Sequence, residues 1–390
     1  MTFDDILASL RQAEGDPQLL ALATVDSVLA THRPELRAAL EAAAIPHWFN
    51  HQILGILLRL GDSEVAASFE TLTSLPFVER YGDGVNYNVH ESTRLAIRRR
   101  LESQEPERLV TLSLAAAALW PDEDPRSRVE NLYHRIVANQ KDASLELERL
   151  YWKWHRAGQR KPIQLLGPVL EELSRAQLRY AAKGRVLLIL GWVRLSRIPL
   201  PESKRLAEEA IALLDSDDAL ASRADAHSLL GDVLRLTGRL SDALAQYQAD
   251  KRIRESIAAL DPANSDWQRD LSVSHNTVGN IYQAQGRLSD ALAEFQAYKR
   301  IMESLAALDP AHSDWQRELS VSHNNVGSIY QAQGLLREAL SESESDLVIA
   351  ERLANLDPTN SQWQEDLAIT KRTVSSLRKR LGLPGNPKSS

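Results

Sequence analysis

Between residues 222 and 363 the apolar positions return every three to four residues, and the whole pattern returns every 48. Within one period Trp267, Leu271, Val278 and Ile281 share one side of a helix. Ala291, Phe295, Tyr298 and Met302 follow at steps of three and four along a second. Ser265 supplies an N-cap oxygen and Asp266 an early carboxylate, where unpaired N–H groups and the helix dipole favour both. Gly286 closes the first helix and Asp309-Pro310 stops the second. The spacing predicts two antiparallel helices of about 20 residues per unit. Trp267, Trp315 and Trp363 keep the 48-residue step, as do His227, His275 and His323, and Gly231, Gly279 and Gly327. The block 239–286 matches 287–334 at 39 of 48 positions. A fixed period of this size marks a stacked-repeat protein, in which each unit buries its apolar face against its neighbours. The tryptophans are expected to fill the space between successive helix pairs.

Upstream the period changes. Residues 35–44, 49–60 and 63–74 read as three helices. Phe77-Val78-Glu79 and Tyr87-Asn88-Val89 then alternate as short strands around Gly82-Asp83-Gly84, a turn rich in residues that accept positive φ. The chain accordingly divides into an N-terminal helical segment (1–32), a three-helix module with a two-stranded wing (33–103), and a connecting helix and linker (104–127). Weaker helical hairpins (128–221) precede a repeat array closed by a single capping helix (222–382) and a disordered tail (383–390).

Composition narrows the function. Asp and Glu (53) outnumber Lys and Arg (46), giving a net charge of −7, so the chain as a whole has no electrostatic reason to seek nucleic acid or an anionic membrane. There is no cysteine, which excludes disulfides and thiolate chemistry. No run reaches the roughly 18 apolar residues of a membrane span. Asp4 and Asp5 occupy the place where a signal peptide carries positive charge. A cytoplasmic protein is expected.

Several residue patterns resemble known families. Gly279, Tyr282, Ala291 and Phe295, with Gly327, Tyr330 and Ala339 in the next unit, resemble the small–aromatic pattern of the tetratricopeptide repeat (TPR). That family's period is 34 against 48 here. The resemblance implies an all-α fold, a right-handed superhelical solenoid whose first helices line a concave groove. Carried onto this sequence, the groove residues are Ser228, Asp232 and Arg235, then Asn276, Asn280 and Gln283, then Asn324, Ser328 and Gln331. Most are neutral and can donate to and accept from a peptide backbone. Asn276 stands where the family's carboxylate clamp has lysine, so a clamp is not expected. Residues 33–103 resemble a winged helix. Leu75-Pro76-Phe77-Val78 with Val89-His90-Glu91 are similar to the module that follows the nucleotide-binding domain in STAND-type (NB-ARC-like) signalling ATPases. There a Met-His-Asp motif brings its histidine to bound ADP; His90 is the matching residue, and two of the three residues differ. Glu130, Tyr133 and His134 resemble the helix that opens the sensor region of those proteins. The sequence holds no G-x-x-x-x-G-K-[ST] phosphate loop.

The remaining candidates are weighed on chemistry. Arg94, Arg98, Arg99 and Arg100 form a basic run beside the wing, but the helices placed to enter a DNA groove carry only Arg59 as a cation, and base readout needs Arg, Asn or Gln there. Solvated or acid-paired arginines are favoured. The periodic histidines are read as packing groups rather than ligands, because equivalent helices lie ~8–10 Å apart or more. His32, His47 and His51 lack an H-E-x-x-H pattern. Tyr151 and Trp154 are read as core. Nucleophile and dinucleotide motifs are missing, so no cofactor, metal or catalytic residue is expected. The leading reading is a non-enzymatic scaffold or sensor that binds a protein or peptide partner, an NTPase chain among those it admits. The regulatory half of a split or truncated STAND ATPase is the alternative from another class, and a winged-helix DNA regulator is the weaker one.

Overall fold

A computed structural model describes residues 17–29, 34–82, 84–121, 124–195 and 200–384. Residues 1–16, Asp83 and residues 385–390, which bear on the expected N-terminal segment, wing turn and disordered tail, lie outside the described residues. The chain divides into two compact units, residues 1–197 and 198–390.

In the first unit α1 (Pro17–Leu29), α2 (Pro34–Ala43), α3 (His51–Leu58) and α4 (Asp62–Thr73) precede β1 (Val78–Tyr81) and β2 (Asn86–Val89). The strands pair antiparallel with Val78 opposite Val89 and Tyr81 opposite Asn86. Gly82 and Gly84 have φ of 63° and 82°, the left-handed geometry that the turn requires. The helix expected over 49–60 is shorter. Phe49 exchanges two backbone hydrogen bonds of 2.7 Å with Tyr87, which holds it extended beside β2. Asn50 then caps α3, its Oδ1 accepting from Ile53 N at 2.9 Å. Six more helices follow: α5 (Glu91–Gln104), α6 (Pro106–Ala117), α7 (Pro125–Val137), α8 (Ala143–Arg156), α9 (Arg160–Leu173) and α10 (Tyr180–Arg194). Tyr151 and Trp154 are buried in α8, as expected.

The second unit is a stack. After α11 (Leu200–Leu213) come the hairpins α12/α13 (Leu220–Leu236, Leu240–Leu260), α14/α15 (Ser265–Ala284, Leu288–Leu308) and α16/α17 (Ser313–Ala332, Leu336–Leu356), then α18 (Ser361–Arg380) alone. Each second helix packs on its own first helix and on the first helix of the next hairpin. The N-cap lies one residue earlier than Ser265. Asn264 Oδ1 accepts from Trp267 N at 3.2 Å, and His312 and Asn360 cap α16 and α18 in the same way. The extended φ and ψ of Asn264 put its oxygen, rather than that of Ser265, over the free N–H groups. Trp315 is half-buried, seated on Tyr298, Met302 and Leu305 of α15 and stacked on His312 with ring centroids 4.2 Å apart. Val374 and Leu377 of α18 close the core of the last hairpin.

Candidate functional site: the face built by the first helices

Consecutive first helices touch along their sides. Arg269 Nε donates to Glu318 Oε1 at 3.1 Å, Asn325 Nδ2 to Asn276 Oδ1 at 2.8 Å, and Gln283 Nε2 to Ser328 Oγ at 3.5 Å. Arg317 Nε reaches Asp366 Oδ2 of α18 at 2.9 Å. Because the second helices occupy the flanks, one stripe of each first helix stays open. Its positions recur in rows: Ser228, Asn276, Asn324; Asp232, Asn280, Ser328; Arg235, Gln283, Gln331. Arg235, Asn280 and Asn324 are exposed and the other six are half-buried.

The nine residues are not equally free. Asp232 is held by Tyr247, whose hydroxyl donates to its Oδ1 at 2.8 Å, and by Arg235 at 3.1 Å. Asn276 and Gln283 spend one polar group each on the neighbouring repeat, and Ser328 donates to the Asn325 carbonyl at 2.8 Å. Asn325, which the sequence reading did not select, belongs to this network. The rows also continue into α18 as Arg372, Ser376 and Lys379, so the face turns from neutral to basic at its last helix.

The periodic histidines have partners of their own. His275 Nδ1 lies 2.6 Å from Glu294 Oε2, and His323 Nδ1 lies 2.6 Å from Glu342 Oε2; His227 meets Gln246 at 2.8 Å. Lys251 and Lys299, from the preceding hairpins, bind the same two glutamates at 2.7 Å. Burial raises the Glu294 and Glu342 carboxyls, but these hydrogen bonds outweigh it and hold both below the usual range.

His90 lies in the first unit. It is exposed, with Nδ1 3.0 Å from Ser92 Oγ. Beside it the structure contains a buried polar cluster absent from the sequence reading. Glu172 of α9 receives Arg94 Nη1 and Nη2 of α5 at 2.9 and 2.5 Å, Arg98 Nη1 at 2.8 Å, and the Tyr133 hydroxyl. His47 joins Glu172 to Glu130, with Nδ1 2.8 Å from Glu130 Oε2. Burial pushes the Glu172 carboxyl up, yet Arg98, the His47 hydrogen bond and Arg94 together hold it far below the usual carboxylate range. Burial lowers the Arg98 guanidinium to about 10 against the pull of Glu172. His134 is fully buried on Trp120, and neither ring nitrogen finds a hydrogen-bond partner among the described residues. Burial, then the charges of Arg98 and His47, hold it well below its ordinary value. The cluster fastens α5 to α7 and α9. Arg100 meets Asp26 at 2.9 Å and Glu41 at 3.3 Å, which leaves Arg99 as the exposed member of the basic run.

No protein-family model and no curated relative matches the chain. Among solved structures, nearly identical TPR-like repeats from Podosopora anserina align at 17% identity over 60% of this chain and 99% of theirs, TM-score 0.41. BtubC of P. vanneervenii aligns at 13% over 74% and 97%, TM-score 0.40. A signal transduction ATPase with numerous domains (STAND) and a tetratricopeptide repeat sensor, from Pyrococcus horikoshii, aligns at 12% over 98% and 63%, TM-score 0.33. Such scores carry no argument by themselves. The TPR-like description rests on the chain's own geometry: stacked antiparallel hairpins at a 48-residue step, with Gly279 packed against Phe295.

Proposed function

We propose that the second unit is a non-enzymatic protein-binding scaffold whose first-helix face holds an extended polypeptide segment. The observation that carries this reading is the set of rows itself. Side chains that donate and accept without net charge stand at the same step on successive helices, and Asn280 and Asn324 remain open to solvent. An extended chain crossing the helices would meet such groups at regular intervals, each hydrogen bond contributing ~0.5–1.5 kcal/mol net. The sequence lacks the phosphate loop of an NTPase, and three of the four arginines beside the wing are tied to carboxylates, which removes most of the support for a DNA-binding role. A second reading, the regulatory part of a STAND-type switch, draws on the element order: α2 to α4, a two-stranded hairpin, then helical hairpins.

The test begins with partners retained by the full chain, identified and purified, then titrated by calorimetry. Asn280→Ala with Asn324→Ala should weaken binding roughly 5- to 100-fold if the two losses add. Both side chains are exposed, so the thermal midpoint should not move. Affinity that survives this double change but fails when the exposed side of α13, α15 or α17 is altered would place the partner on the other face.

A further inference from the structure

Helices α7 and α8 flank an open cavity of about 340 Å³, a volume within the range of small-ligand sites. Its polar lining is one-sided. Arg128 and Arg135 come from α7, Arg149 and Lys153 from α8, against one carboxylate, Glu146. Leu132 and Leu150 form a buried apolar floor.

The charges follow from how the two helices pass each other. Nearest their loop, Arg135 grips Glu146 with a planar fork, Nη1 to Oε2 at 2.6 Å and Nη2 to Oε1 at 2.8 Å. Seven residues farther along each helix the opposed residues are Arg128 and Lys153, cation to cation. Arg149 lies one turn before Lys153 on the same side of α8, and like charges at that spacing repel. Neither Arg149 nor Lys153 forms an ion pair among the described residues, and both are exposed. A protein of net charge −7 thus lines one cavity with two exposed cations, Arg149 and Lys153, that form no ion pair among the described residues, beside an already neutralised pair.

We propose that this cavity binds a small polyanion, with phosphate-type oxygens on Arg149 and Lys153 and any apolar portion on Leu132 and Leu150. Guanidinium groups match phosphate oxygens two at a time, and the ammonium adds a point charge. Cations gathered in a low-dielectric concavity also raise the local concentration of an anion. The site lies in the first unit and does not rest on the peptide-binding reading of the second.

Pyrophosphate and inorganic phosphate are the probes, titrated into the full chain by calorimetry at low salt, with a duplex oligonucleotide in a separate arm. Saturable pyrophosphate binding in the ~0.1 mM range, tighter than phosphate, is expected. Arg149→Gln with Lys153→Gln should weaken it by at least about tenfold at unchanged circular dichroism, since both side chains are exposed. Arg372→Gln with Lys379→Gln, in the second unit, should leave it as it was. The proposal is overturned by any of three results: no saturable pyrophosphate binding, equal loss in both double variants, or duplex binding that pyrophosphate fails to displace.

Discussion

At the scale of single residues, the repeat is decided by how closely a second helix approaches its first. A Cβ added to Gly231 would sit 2.6 Å from the Tyr247 ring, and one added to Gly279 would sit 2.6 Å from Phe295. At the equivalent Gly327 the nearest atom is Glu342 Cβ at 3.4 Å, because Ser343 replaces the aromatic ring. In α18, with no partner helix after it, the same position is Ser375. The small–aromatic pairing was legible in sequence because both members recur at a fixed step. The N-cap was misplaced by one residue because Asn264 and Ser265 are both good caps, and only the backbone angles choose between them. Gly279→Ala should therefore cost ~1–3 kcal/mol through overpacking. Gly327→Ala should be neutral or stabilising by up to about 1 kcal/mol, since alanine favours helix over glycine. Urea unfolding of the two variants checks this, and equal losses would mean that the aromatic ring does not set the approach.

Two of the nine differences between the near-identical blocks, Asp250/Tyr298 and Arg254/Met302, acquire their meaning at the scale of elements. Where α13 meets α12 and α14, Arg254 binds Asp250 at 2.8 Å, Asp270 at 3.1 Å and also Asp225, while Ser274 donates to Asp250 at 2.5 Å. Between α15 and α16 the counterparts are Tyr298 and Met302, packed with Leu305 against Trp315, Leu319 and Val321. The counterpart of Asp225 is Val273. A charged interface has been exchanged for an apolar one as a set, whereas read singly in sequence each change is only a substitution. Burial pushes Asp225 up to about 6; Asp270 and Asp250 add to the rise and Arg254 opposes it. Arg254→Met alone leaves three carboxylates around an apolar side chain and should lose ~3–5 kcal/mol. Adding Asp225→Val and Asp250→Tyr, which copies the second interface, should recover most of that loss. If the single variant unfolds at the wild-type urea concentration, the cluster contributes no stability and the exchange of sets has no energetic basis.

For the whole molecule, the solenoid was legible because its contacts are local and periodic. The cluster of the first unit was not, because Arg94 and Glu172 are 78 residues apart and no pattern along the chain links them. That cluster sets a difference in acid response between the units. Below pH 6.5 unfolded His134 takes up a proton, but its folded value lies far lower, so stability falls with pH at up to about 1.4 kcal/mol per unit. Glu172, depressed in the folded state, adds a loss of the same sign once pH drops below about 4.5. His47 works against burial through its bonds to Glu130 and Glu172 and is raised, so its contribution is complete below 6.5 and adds no slope there. In the second unit Asp225 has the opposite sign, gaining stability as pH falls from about 6 toward 4, and so works against the loss from His227, which burial lowers. Hydrogen exchange, corrected for its intrinsic pH dependence, should therefore show α7 and α9 losing protection between pH 7 and pH 5 while α13 and α14 hold theirs. Unchanged protection in α7 and α9 would show that His134 is not kept neutral by its burial, and parallel loss in all four helices would show that the two units do not respond to acid separately.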